Sequence, residues 1–129
     1  MIYIVSIYLT FLTFIVIWQI ALILGAPLGE YTMGGQDKGE LPRKKKYMAI
    51  GSLFLLIFYV FNVLSQTDVY FQEWRSVTNV TIWLVVFLNS LTLLGNTITR
   101  SKKERNLWFP ITLLMFICIL IIATQKYII

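Results

Sequence analysis

The sequence predicts an all-α fold, a four-helix transmembrane bundle of up-down topology with both termini outside. Three observations predict it. Hydrophobic residues make up 58% of the 129-residue chain and charged residues only 13%, where a soluble domain carries about 25% charged. Four long apolar stretches contain no charged residue at all, which points to lipid as their solvent. Nine of the eleven Lys and Arg residues fall in two of the connections between those stretches.

The first stretch, residues 1–24, is too long and uniformly apolar for a cleaved signal peptide, and it lacks a basic leading segment. It reads as a first helix, ended by Gly25, Pro27 and Gly29. Residues 25–46 form the longest connection, where five glycines and two prolines exclude a regular helix. That segment closes on Arg43-Lys44-Lys45-Lys46, and a second helix follows over residues 47–64.

Residues 65–76 make a polar external loop in which Val69, Tyr70, Phe71 and Trp74 interleave with Asp68, Gln72, Glu73 and Arg75. Such a pattern suits a short interfacial helix with its aromatics at headgroup level. A third helix is expected over residues 77–98. Asn79-Val80-Thr81 matches a glycosylation sequon but sits against the membrane, and we read it as chance.

A second basic cluster, Arg100, Lys102, Lys103 and Arg105, fills residues 99–107. The fourth helix is placed at residues 108–125, with Pro110 in its first turn. A capping box, Ser101-x-x-Glu104, offers an earlier start, in which case Pro110 falls inside the helix and kinks it. The whole chain makes one membrane domain.

Topology follows from charge. Residues 25–46 and 99–107 hold the basic excess, the N-terminal tail holds none, and the C-terminal tail holds Lys126. Both basic loops therefore face the cytoplasm. Charge this asymmetric argues against a dual-topology protein.

Composition also limits function. There is no histidine and a single cysteine, Cys118, inside an apolar run. An internal disulfide is excluded, and Cys118 reads as a small buried hydrophobe. The commonest general base and metal ligand is missing, so no metal and no cofactor are expected. A net charge of +5 sits beside apolar spans, which makes anionic lipid headgroups the expected partner and argues against nucleic acid. A membrane protein partner or a second copy of the chain is also compatible. No Walker-type phosphate loop is present.

The two basic loops share a membrane face and can converge on one site. Its candidate residues are Glu30, Gly34, Gly35, Arg43, Lys44, Arg100, Glu104, Arg105 and Trp108. The glycines let backbone N–H groups approach a ligand, and the cations supply charge. Cations in the first turn of the second helix oppose its dipole unless an anion lies close, and a lipid phosphate would meet that need. Two readings stand side by side for Glu30 and Glu104: either pairs with Arg43 or Arg105 and holds the loops together, or the charges stay solvated and salt-screened. Within the spans, Gln19, Asn62, Asn89, Ser90 and Asn96 are expected to face other helices as polar glue.

Three functions compete. The residues favour a non-enzymatic module that binds an anionic lipid or a partner through the cytoplasmic loops. A small transporter or channel for a neutral or amphipathic solute is the first alternative, with a path lined by Gln19, Asn62, Asn89 and Asn96. No carboxylate lies within a predicted span, which disfavours proton-coupled export. A membrane enzyme acting on a lipid headgroup is the second alternative, with Glu30, Tyr31, Asp37 and Glu104 as its only acid–base candidates.

GAPLGEYTMGG, then Leu41-Pro42 with basic residues, then SKKERNLWFP opening the last helix resembles the pattern of a family of small bacterial four-helix membrane proteins. The resemblance spans nearly the whole chain through short motifs. It places Gly25, Pro27, Gly29, Gly34, Gly35, Pro42, Glu104, Arg105, Trp108 and Pro110 at the pattern's positions, with Leu28 where a tryptophan is common. It implies a bacterial cytoplasmic membrane and supplies no activity. The isoleucine, lysine and asparagine content suits an AT-rich bacterial genome.

Overall fold

Among the described residues, 2–128, the chain forms four α-helices and no strand. The structure is a computed structural model. The side chains of residues 126–128 lie outside the description, and with them the Lys126 weighed for topology. The helices are α1 (Ile2–Ile23), α2 (Arg43–Ser65), α3 (Arg75–Ile98) and α4 (Lys102–Ile128). Each holds a stretch long and apolar enough to cross a membrane. At about 1.5 Å per residue they match or exceed a hydrocarbon core about 30 Å thick.

Packing closes a ring: α1 touches α2, α2 touches α3, α3 touches α4, and α4 returns to α1. The core is drawn from the start of α1 (Val5, Tyr8, Leu12), the end of α2 (Leu56, Tyr59, Val63), the start of α3 (Ile82, Val85, Val86) and the end of α4 (Met115, Cys118, Ile119, Ile122, Ala123). These four ends meet, so the best-packed half lies away from the basic loops. The outside is apolar too: Ile17, Phe54, Leu94 and Val80 are more than half exposed. Solvent-facing apolar rows on every helix are what lipid-facing helices present. Hydroxyls on these faces are satisfied internally, as when Thr10 donates to the Ser6 carbonyl at 2.7 Å and Thr13 to that of Leu9 at 2.8 Å.

Sequence reading and structure differ at the basic ends of α2 and α4. Helix α2 begins at Arg43 rather than 47, so the basic run is its first turn, behind Pro42 in extended conformation. Helix α4 begins at Lys102 rather than 108, so most of the expected loop 99–107 is helical. The earlier start is the one the capping pattern offers. Ser101 Oγ accepts the Glu104 N–H at 3.1 Å. Only half of the box forms, because the Glu104 side chain turns away toward loop one. Pro110 then lies inside the helix, where it removes one intrahelical hydrogen bond.

Helix α1 ends as expected. Gly25, at φ +99°, donates to the Leu22 carbonyl at 3.2 Å, and Ala26 donates to that of Ala21 at 2.9 Å. That pair of bonds is a Schellman cap, whose left-handed residue favours glycine.

The far connection contains a single 3-10 turn, Gln72–Trp74, in place of an interfacial α-helix. Phe71 sits at φ +54°, and Val69, Tyr70, Phe71 and Trp74 are exposed. Arg75 gathers this loop by donating to the carbonyls of Ser65 (3.1 Å) and Thr67 (2.5 Å) and to the Asp68 carboxylate (3.0 Å). Thr81 of the sequon-like triplet donates to Asn62 Oδ1 at 2.6 Å, joining α3 to α2.

Candidate functional site: a groove at the basic end

Loop one folds onto the start of α4, and the site grows from that contact. Two 3-10 turns, Gly29–Tyr31 and Met33–Gly35, shape the loop. Gly34 N–H donates to Glu104 Oε2 at 2.8 Å, Ser101 Oγ to the Glu30 carbonyl at 2.8 Å, and Trp108 Nε1 to the Tyr31 carbonyl at 2.7 Å. Lys103 closes an ion pair with Glu30 and lies 5.8 Å from the Tyr31 ring centre. The ammonium beside Glu30 holds that carboxyl below its usual range. Gly35 passes so close to α4 that a Cβ would lie 2.5 Å from the Ser101 Cβ, and its φ is +68°. Only glycine fits there.

Behind these bonds, Trp18 and Trp108 meet edge to face at 5.1 Å, with Phe14 5.7 Å from Trp108 and Tyr31 6.1 Å from Trp18. This aromatic cluster ties the loop to α1 and α4 at once.

Between loop one, the end of α3 and the start of α4 lies an open groove of about 1000 Å³. Lys38, Arg100, Lys102 and Lys103 supply its positive charge, with Glu30, Glu104 and Ser101 among them and Gly95 and Ile98 of α3 on its wall. Of the four cations only Lys103 makes an ion pair with a described residue. At the start of α4, the backbone N–H groups of Lys102 and Lys103 are among those a helix leaves without internal acceptors.

The structure therefore brings together Glu30, Gly34, Gly35, Arg100 and Glu104 from the expected set. Trp108 and Arg105 stand behind the groove. Trp108 is 8% exposed and holds the loop, and Arg105 donates to the Thr99 carbonyl at 3.2 Å. Arg43 and Lys44 are exposed on the first turn of α2 and do not line the groove. The expected pairing of Glu30 or Glu104 with Arg43 or Arg105 is not what forms. Lys103 takes Glu30, and a backbone amide takes Glu104. The dipole conflict at α2 is partly answered inside the chain, since Lys45 pairs with Asp37 and Lys46 with Glu40.

Sequence reading left Lys38, Lys102 and Lys103 out of the candidate set. The last two belong to the second basic cluster and were within reach of it. Lys38 stands alone in the sequence, and only the fold of loop one brings it to the groove. Among the described residues no group of three or more Cys, Asp or Glu side chains converges on a metal-sized site.

Fold and groove define a class: a four-helix bundle with four candidate membrane spans and a cation-rich groove at one end. No protein-family model, curated protein or solved structure matches the chain.

Proposed function

We propose that this protein is a non-enzymatic, multi-pass module of a bacterial cytoplasmic membrane that binds an anionic lipid headgroup in the groove at its basic end. Positive charge retained at the cytoplasmic face puts the groove at phosphate level. One observation carries the reading: Lys38, Arg100 and Lys102 line an open groove without an ion pair to any described residue. Two of these cations sit at or beside the N-terminus of α4, where they oppose the helix dipole unless an anion joins them. A phosphate bridging the groove would satisfy cations and free amides together.

The test is lipid retention by the full chain purified in mild detergent, read by native mass spectrometry. Phosphatidylglycerol should stay bound in preference to phosphatidylcholine. Arg100→Ala with Lys102→Ala should weaken retention by about 2 kcal/mol, at about 1 kcal/mol per cation, or roughly thirty-fold. Arg43→Ala with Lys44→Ala, outside the groove, should change it little. Equal retention of both lipids, or equal loss in both variants, would remove the proposal's basis.

A second reading draws on Glu30 and Glu104 sharing this groove, the arrangement an enzyme acting on a headgroup would need. Both groups are already engaged, Glu30 by Lys103 and Glu104 by Gly34. A general base needs a free lone pair aimed at its proton, so the loop-holding role has the stronger support.

A further inference from the structure

Behind loop one, two smaller recesses enter the bundle. The first, of about 170 Å³, lies against Trp108, with Glu104 and Asn96 on its wall. The second, of about 180 Å³, is walled by Asn89 and Tyr59. Ile15, Gln19, Thr92 and Thr112 line both, and Thr92, Asn96 and Glu104 also line the outer groove. The three spaces thus lie end to end from the basic surface inward. A water takes about 30 Å³, so each recess has room for several.

Polar side chains interrupt walls that are otherwise mostly apolar, with Ile15, Leu56 and Met115 among them. Asn89 is committed: its Nδ2 donates to the Val85 carbonyl at 2.8 Å and its Oδ1 accepts the Tyr8 hydroxyl at 3.2 Å. That buried pair abuts the core and closes the inner end. Thr92 and Thr112 donate to the Leu88 and Trp108 carbonyls, which leaves their oxygens as acceptors. Gln19 and Asn96 are uncommitted. Neither amide bonds to a described residue, and the Gln19 Oε1 is buried without a partner. Leaving such an acceptor dry in a membrane interior is costly.

The lining selects a ligand class. No cation borders either recess, which disfavours an anion. Lys102, Lys103 and Arg100 surround the entrance, and the Glu104 carboxylate on the wall of the first recess is engaged by the Gly34 amide, which together disfavour a cation. Uncommitted amides on the walls are a poor match for an acyl chain. What remains is a neutral molecule that both donates and accepts hydrogen bonds. We infer that the inner recesses form a second site, for a small neutral solute bearing hydroxyl or amide groups, entered from the basic end and held by Gln19 and Asn96. The inference is separable from the lipid reading through Gln19, which does not line the outer groove, whereas Asn96 lines both the groove and the first recess.

Thr112 is 5% exposed and lines both recesses, so a reagent reaches it only through them. The experiment uses the full chain in lipid nanodiscs, with Cys118→Ala and Thr112→Cys, and a hydrophilic methanethiosulfonate as the thiol reagent. The new thiol should react at least tenfold faster than one placed by Asn62→Cys in the packed half. Glycerol and acetamide, the neutral probes, should slow it saturably. Gln19→Leu, and separately Asn96→Leu, should abolish that protection while the thiol still reacts. Absent reaction at position 112, absent saturable protection, or protection that survives both substitutions would each overturn the inference. So would protection by methylammonium chloride in place of the neutral probes. Phosphatidylglycerol retention, measured on the Gln19→Leu variant, whose side chain lies outside the outer groove, should be unchanged. Its loss through Arg100→Ala and Lys102→Ala with glycerol protection intact would leave this site standing.

Discussion

Glu104 is where residue-level reasoning came closest and still missed the partner. Its position four residues into a basic cluster suggested an arginine, yet it binds the Gly34 amide. Pairing rules compare side chains with side chains, so a backbone donor seventy positions away is invisible to them. Glu104→Ala leaves that N–H without its acceptor in a half-buried contact. Hydrogen bonds to charged groups contribute about 1.5–3 kcal/mol, and unfolding in detergent should show a loss of that order. Glu104→Gln keeps an acceptor and should lose less than half as much. Sequence reading offers Gly34 and Gly35 as glycines that let the backbone approach a ligand. What the structure shows is Gly35 approaching Ser101 of the same chain, where a Cβ would clash, and the Gly34 N–H donating to Glu104.

At the scale of elements, hydropathy located all four helices but missed two starts. A charged first turn looks like loop when the search is for apolar runs, so α2 and α4 were begun four and six residues late. The signal that located α4 correctly was local chemistry, a serine three residues before a glutamate. Ser101 both accepts the Glu104 N–H and donates to the Glu30 carbonyl. Ser101→Ala should therefore cost more than the roughly 1 kcal/mol of an ordinary N-cap, while Ser101→Thr should recover most of it.

The clasp between loop one and α4 also has a pH signature. Because Lys103 holds Glu30 below its usual value, their contact is fully present above the ordinary glutamate pKa of about 4.3. It is lost only as pH falls through the lowered value. Proteolysis within loop one should be constant from about pH 8 to about pH 5, and the loop should loosen only below about pH 4.

Over the whole molecule, polarity divides the bundle along its length. The half away from the basic loops holds the packed core, stitched by Asn62 with Thr81 and by Ser65 with Thr78 at 2.6 Å. The basic half holds the groove and the recesses. Sequence reading took Gln19, Asn62, Asn89, Ser90 and Asn96 first as glue between helices, and all but Ser90 as the lining of a path in the transporter alternative. Asn62 and Asn89 act as glue, Ser90 bonds to the Phe87 carbonyl of its own helix, and Gln19 and Asn96 line open space. A finer signal was present in the chain. Ile15 and Gln19, Thr92 and Asn96, and Trp108 and Thr112 are each four residues apart, so each pair shares a helix face. Which faces turn toward one another depends on packing between helices, and no single span encodes that.

The central claim is that the chain crosses the bilayer with both basic segments on the cytoplasmic side. Single cysteines at positions 38, 70 and 102, in a Cys118→Ala background, test it with a membrane-impermeant maleimide on intact bacterial cells. The account predicts that position 70 labels from outside, and that positions 38 and 102 label only after permeabilisation. Labelling of 38 and 102 from opposite sides, or of both on intact cells, would contradict it.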